Sequence, residues 1–122
     1  MFEIVVEKSF SAAHFLPSFP GKCQRLHGHN YRVRAFLRGD FLDESGMLAD
    51  FGAVKEALAA VVDRYDHYCL NEVPDFEAVP PSTENVARRI GEALAQYDFG
   101  PARLHRVEVW ETPIQAAAYF LP

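Results

Sequence analysis

The pattern of apolar and polar residues along the chain predicts four β-strands and two α-helices. The segment from Phe2 to Ala13 is rich in Ile, Val and Phe and is expected to form the first strand, and residues 29–38 are expected to form the second. In the second strand Val33, Ala35 and Leu37 share one face, while arginines occupy most of the other, because successive side chains point to opposite sides of a strand. One face of this strand is therefore expected to contact a core.

Two segments with apolar residues at helical spacing follow these strands. Asp50 is expected to cap a first helix that runs to about Tyr65. Ser82 or Thr83 is expected to cap a second helix, whose apolar stripe extends to Tyr97. Each helix therefore has an apolar side that can pack on a sheet.

The remaining segments complete the predicted order of elements. Residues 104–111 and 115–121 are expected to form two further strands, joined by a tight turn at Thr112-Pro113. A short extended piece is expected at 47–50. The connection 66–81 contains three prolines and is long for a structureless loop, which is typical of a functional segment.

This order of elements predicts an α+β fold. Two strands, two helices and two strands suggest a four-stranded, mostly antiparallel sheet with both helices on one face, and the length suits a single domain over residues 1–122. The other face and the two sheet edges then need cover. Because several strands have apolar residues on both faces, another subunit is the expected cover.

Composition and charge narrow the possible partners. The 122 residues have a formal net charge of −5 and no basic stripe, which argues against nucleic-acid binding. The two cysteines do not make a disulfide framework. The start of the chain lacks the pattern of a secretory signal, and no apolar run approaches the ~18 residues of a membrane span. A cytoplasmic protein without a membrane partner is expected.

Three histidines near the start of the chain predict a metal site. His27 and His29 lie two residues apart on a strand, so their side chains leave the same face with Cα atoms roughly 6.5 Å apart. His14 ends the preceding strand, and an antiparallel hairpin would bring it alongside. Three imidazoles can hold Zn²⁺ with a fourth position open, as in catalytic zinc sites. Zinc-finger and His-Glu-x-x-His spacings are absent.

Four other polar residues have a chemistry that spacing alone leaves open. Cys23 lies four residues before His27 and can equally be a general base, or a metal ligand or inert loop thiol. Asp66 and His67 can form a proton-transfer pair, or a solvated carboxylate beside a helix-end histidine. Glu111 can accept two hydrogen bonds from a planar, amidine-like edge, or be an ordinary exposed glutamate.

Six short blocks, taken in order, carry a resemblance that covers nearly the whole chain. They are Phe10-Ser11-Ala12-Ala13-His14, Cys23-x-x-x-His27-Gly28-His29-Asn30, Asp50-Phe51, Asp66-His67-x-x-Leu70-Asn71, Pro81-Ser82-Thr83-Glu84-Asn85 and Glu111-Thr112. Together they resemble the 6-pyruvoyl-tetrahydropterin synthase superfamily, and within it the bacterial 6-carboxytetrahydropterin synthase branch of queuosine biosynthesis. The resemblance implies a tunnelling fold, in which subunits join their sheets into a barrel. It also implies a hexamer of two trimers, with active sites at subunit boundaries.

The resemblance also implies roles for nine residues. It implies a zinc site formed by His14, His27 and His29, and Cys23 as the catalytic base. It also implies a proton-relay pair, Asp66 and His67, and a pterin-ring site formed by Glu111 with Thr83 and Glu84. The implied substrate is 7,8-dihydroneopterin triphosphate, and the implied products are 6-carboxy-5,6,7,8-tetrahydropterin, acetaldehyde and triphosphate.

Other functions remain open at the level of sequence. By the same resemblance, the interval between Cys23 and His27 is short as in the bacterial members, which favours the 6-carboxy branch over the 6-pyruvoyl branch that keeps the substrate's carbon side chain. A non-catalytic pterin-binding module and a structural zinc protein are alternatives of other classes. Under the structural alternative, removal of the metal should unfold the chain.

Overall fold

The computed structural model describes all 122 residues and confirms the predicted α+β fold. The strands and helices follow one another in the expected order. They are β1 (Phe2–His14), β2 (His27–Gly39), α1 (Phe51–Val62), α2 (Thr83–Leu94), β3 (Arg103–Thr112) and β4 (Gln115–Phe120).

The four strands form one antiparallel sheet in the order β1-β2-β3-β4. In the β1–β2 hairpin His14 lies opposite His27, and Phe10 lies opposite Tyr31. In the next pair Val33 lies opposite Val109. Because side chains alternate along a strand, these registers bring every second residue of β1, β2 and β3 onto the same face of the sheet.

Both helices pack on that face, which is called here the helix-covered face. Helix α1 lies against β1, and α2 lies against β3 and β4. Asp50 caps α1 by accepting a hydrogen bond from the Gly52 N–H, and Ser82 caps α2 by accepting one from the Asn85 N–H. The largest fully buried aliphatic side chains of the core come from both layers: Leu37, Leu58, Leu70, Ile90 and Leu94. Each such side chain contributes roughly 1.5–3 kcal/mol of burial free energy.

The helices are shorter than their apolar stripes predict. Helix α1 ends at Val62 rather than Tyr65, because the N–H groups of Arg64 and Tyr65 bond to carbonyl oxygens only three residues back, those of Val61 and Val62, as in a tightened 3₁₀ turn. Tyr65 is nevertheless fully buried. Helix α2 ends at Leu94, and Tyr97 is 45% exposed instead of extending the stripe into the core.

One prediction for the connections needs correction, and another gains detail. Residues 47–50 form no strand; they follow a turn over residues 43–47, where the Asp43 side chain accepts hydrogen bonds from the Ser45 and Met47 N–H groups. The 66–81 connection contains two short 3₁₀ turns, Leu70–Glu72 and Pro74–Phe76.

Neither helix has the length and apolar character that crossing a bilayer requires.

The opposite face of the sheet carries charged residues that pair with one another. Glu7 accepts from Arg34 at 2.8 Å, and Glu3 accepts from Arg38 at 2.6 Å. Phe36, one of the apolar residues on this face, is only 7% exposed because the Arg106 guanidinium lies 3.7 Å from its ring centroid. Ion pairs and stacking therefore cover part of this face, while Val5 and Phe120 stay 43% and 59% exposed on it.

Candidate active site

The three predicted histidines meet at one end of the helix-covered face. His14 and His27 are directly opposite in the hairpin, and His29 follows His27 on the same side of β2. Glu111 lies on the same face of β3 as the buried residues Val107 and Val109, and its side chain extends to the histidines from that strand. One ligand atom from each of His14, His27, His29 and Glu111 lies within 4.8 Å of all the others. These four residues are called the four-residue cluster.

Backbone carbonyls orient two of the imidazoles. The Nδ1–H of His14 donates to the Pro81 carbonyl oxygen at 2.8 Å, and the Nδ1–H of His27 donates to the Arg25 carbonyl oxygen at 2.7 Å. A carbonyl can only accept, so these bonds assign the proton to Nδ1 in both rings. The Nε2 lone pairs of His14 and His27 are left for a cation, as is usual for metal-binding histidines.

The electrostatics of the four-residue cluster fit a divalent cation. The Nε2 atoms of His14 and His29 are buried and make no hydrogen bond, although Glu111 Oε1 lies 3.4 Å and 2.9 Å from them. Burial lowers the pKa of both His14 and His29, which favours the neutral rings that metal binding needs. Unpaired imidazole nitrogens and a carboxylate oxygen converge here, and a cation would satisfy all of them.

The thiol lies outside this cluster. Cys23 is half-buried in a 3₁₀ turn, Lys22–Gln24, and its carbonyl oxygen accepts a hydrogen bond from the Leu16 N–H at 2.6 Å. The group of side chains close enough to share one ion does not include it. Of the roles that spacing left open for Cys23, metal ligation is therefore the one that the geometry does not support.

Asp66 and His67 form a hydrogen-bonded pair at the outer edge of β1. Asp66 Oδ2 lies 2.9 Å from His67 Nδ1, while Asp66 Oδ1 accepts the Ser11 N–H at 2.9 Å. The Ser11 N–H, and then the His67 side chain, hold the pKa of Asp66 below its usual range. The backbone N–H of His67 in turn donates to the Ser11 carbonyl oxygen at 2.6 Å. The backbone of β1 therefore fixes both members of the pair.

His67 has an unusual backbone conformation. It is the one non-glycine residue with a positive φ, 64°, and its side chain is 82% exposed. Such a conformation costs free energy and is found preferentially at functional sites. His67 lines a cleft of about 460 Å³ together with His29 and Gly28. The relay candidate and one metal-ligand candidate thus face the same cleft.

The three residues proposed for pterin binding also come together. Thr83 and Glu84 lie in the first turn of α2, and with Glu111 they line a pocket of about 140 Å³. The rest of its wall comes from the start of β4, residues 115–117. Glu111 therefore borders both this pocket and the histidines, a double position that sequence reasoning did not anticipate. The alternation of β3 after Val107 and Val109 was the available signal.

Comparison with known proteins identifies the family. The chain belongs to the 6-pyruvoyl tetrahydropterin synthase family, whose model matches residues 3–121. It is 42% identical, over an alignment of 127 residues, to the 6-carboxy-5,6,7,8-tetrahydropterin synthase of Synechocystis sp., covering 100% of this chain and 95% of that protein. It is 40% identical over 101 residues to the Bacillus subtilis protein of the same name, covering 79% of this chain and 67% of that protein.

A solved structure supports the same assignment. The Caenorhabditis elegans 6-pyruvoyl tetrahydropterin synthase superimposes with a TM-score of 0.86 at 33% identity, covering 100% of this chain and 98% of that chain. The fold that the six sequence blocks implied is therefore confirmed for the single subunit.

Proposed function

We propose that this protein is a zinc-dependent lyase that converts 7,8-dihydroneopterin triphosphate to 6-carboxy-5,6,7,8-tetrahydropterin, acetaldehyde and triphosphate. The reaction would belong to cytoplasmic queuosine biosynthesis, and one domain over residues 1–122 would carry it. The observation that carries the proposal is the convergence of three imidazoles beside the pocket that Thr83, Glu84 and Glu111 line. The names of the Synechocystis and Bacillus relatives support this product over the 6-pyruvoyl one.

The metal would be held by His14, His27 and His29. Imidazole donors suit zinc, and the neutral rings and unpaired Nε2 atoms described above support this assignment. When bound, zinc supplies Lewis acidity toward oxygens of the substrate side chain.

The pterin ring would be recognised by a carboxylate. The amino-pyrimidinone edge offers two parallel N–H donors, and Glu111 can accept both in a bidentate hydrogen-bonded pair. Thr83 and Glu84 line the same pocket and would add polar contacts to the ring. The hydrogen bond from His14 Nδ1–H to the Pro81 carbonyl oxygen connects the histidines to the residues just before α2. The two parts of the site are therefore held in a fixed relation.

Proton transfer would be divided between the thiol and the histidine. Cys23 is not part of the four-residue cluster and would act as the general base toward the substrate side chain. Asp66 holds the Nδ1 of His67, which leaves the exposed Nε2 to exchange a proton with the substrate. The two residues would work from different sides of the side chain.

The exposure of His67 supports an assembly in which a second subunit completes the site. The single chain leaves the side chain of the relay histidine 82% exposed, at an open cleft. A hexamer of two trimers, with sheets joined into a barrel, would bring a neighbour against this edge. The Asp66–His67 pair would then serve a metal site on the neighbouring subunit.

The atom balance of the reaction defines a direct assay. Elimination removes triphosphate with its ester oxygen, and one water supplies the third oxygen needed for a carboxylate and an aldehyde. Zinc-loaded protein incubated with 7,8-dihydroneopterin triphosphate should release acetaldehyde and triphosphate in equal amounts. A 6-pyruvoyl pterin formed without acetaldehyde would contradict the lyase proposal, and binding without turnover would favour a pterin-binding module.

A further inference from the structure

Glu111 faces two ligand sites with one carboxylate. Its Oε1 lies 2.9 Å from His29 Nε2 and 3.4 Å from His14 Nε2, within the span of the four-residue cluster. The same side chain lines the small pocket formed with Thr83 and Glu84, and it is 25% exposed. It can therefore reach either an ion among the histidines or a ligand in the pocket.

The contact with the histidines has the signature of a ligand rather than of a hydrogen bond. The carbonyl partner of His14 assigns its proton to Nδ1, so that its Nε2 presents a lone pair to the Glu111 oxygen. Neither this nitrogen nor His29 Nε2 makes a hydrogen bond, although both are buried. At His14, a carboxylate oxygen and a lone pair repel each other unless a cation lies between them, so this contact suits coordination of one ion by both groups.

We infer that Glu111 is a displaceable fourth ligand of the metal. It binds the ion while the pterin pocket is empty and leaves the ion to bind the pterin edge when that pocket fills. This inference rests on the proposed function, because it takes the occupant of the pocket to be a pterin. The position on the metal would then open only when substrate is present.

Competition between the two ligands has a measurable consequence. A bidentate grip on the pterin edge would turn both carboxylate oxygens of Glu111 into the pocket, and under the inference this takes Oε1 away from the metal. Pterin binding must therefore weaken metal binding, and by linkage the metal must weaken pterin binding by the same factor. A carboxylate that served only the pterin would produce no such coupling.

The test measures zinc affinity by competition with a chromophoric chelator, with and without saturating unsubstituted pterin. This probe has the ring edge but no side-chain oxygens that could replace Glu111 on the metal. In the wild type, pterin should weaken zinc binding about 10-fold. In Glu111→Gln, zinc binding should be weaker by a similar factor without pterin and unchanged when pterin is added. The variant also corrects for zinc held by pterin in solution.

A matched control is available on the same strand. Glu108 has a carboxylate on the opposite face of β3, where it accepts the Trp110 Nε1–H at 3.0 Å. Glu108→Gln should keep the zinc affinity of the wild type and its response to pterin. Substitution with Co²⁺ gives a second readout, because loss of the carboxylate should change the visible spectrum when pterin binds to the wild type and not when it is added to Glu111→Gln.

Three results would overturn the inference. Equal zinc affinity in the wild type and Glu111→Gln would show that Glu111 is not a ligand, and pterin that binds the wild type without weakening zinc would show that it is not displaced. In both cases the proposed lyase function would stand. Failure of pterin to bind the wild type would remove the proposed function as well. If the variant does not fold, the Co²⁺ spectrum of the wild type decides the matter, because a spectrum that pterin binding leaves unchanged would overturn the inference.

Discussion

The apolar part of the helix-covered face and its polar end come from the same strands but are satisfied in different ways. In the apolar part Val33, Leu37 and Val107 are completely buried and packed by α1 and α2. At the polar end His14 is buried just as deeply, yet its Nε2 and that of His29 have no hydrogen-bond partner. The core is complete as folded, whereas the four-residue cluster is completed only by something the chain does not contain.

This difference separates the residues that determine stability from those that determine chemistry. The core should tolerate loss of the metal, and the chemistry should tolerate modest loss of core packing. Each of the following measurements addresses one side of that separation.

The largest expected effect concerns the thiol. Cys23→Ala should lower turnover by about 10²–10⁴-fold, because a general base contributes that much to the rate. Zinc content and thermal stability should stay at wild-type values, since the thiol is not part of the four-residue cluster. The measurements are acetaldehyde release and metal analysis of the same preparation. Loss of zinc in this variant would make Cys23 a ligand and would remove its assignment as the base.

The positions of the three histidines proposed to bind the metal could be predicted because strand periodicity is a local property. His27 and His29 share a face by parity, and the hairpin register that adds His14 joins two strands that are consecutive in the chain and whose apolar pattern fixes which face is buried. Glu111 could not be placed among them in the same way, because β3 follows in sequence after both helices. Its register against β2 is set by tertiary packing rather than by a neighbouring turn.

Backbone partners and helix ends were beyond the reach of sequence for a different reason. The carbonyl oxygens of Pro81 and Arg25 orient His14 and His27, but every residue has a carbonyl and no side-chain pattern singles these two out. The positive φ of His67 has no pattern either. The apolar stripe of α1 continues to Tyr65 although the helix stops earlier, because a tight turn can bury the same side chain.

A second prediction tests the apolar side of the comparison. Leu58→Ala removes a fully buried side chain from α1 and should lower the free energy of unfolding by about 2–5 kcal/mol, through lost burial and a residual cavity. The folded fraction should still bind zinc with wild-type stoichiometry. Urea unfolding and metal analysis check both statements. Leu42→Ala, at a position 42% exposed, is the control and should change stability by no more than about 0.5 kcal/mol.

A smaller effect is expected from removal of the metal. Zinc that binds only the folded chain stabilises it by mass action, about 2.7 kcal/mol at a free concentration 100 times the dissociation constant. Chelation should therefore lower the melting temperature, while the far-ultraviolet circular dichroism at 25 °C stays unchanged. Unfolding of the chain on chelation would instead favour the structural zinc alternative.

The most direct test of the central claim is X-ray absorption spectroscopy at the zinc edge of the purified protein. We expect nitrogen and oxygen neighbours at about 2.0–2.1 Å, with the scattering pattern of three imidazoles. A sulfur neighbour at about 2.3 Å would contradict the assignment, because it would bring Cys23 into the ligand set in place of one of the groups described.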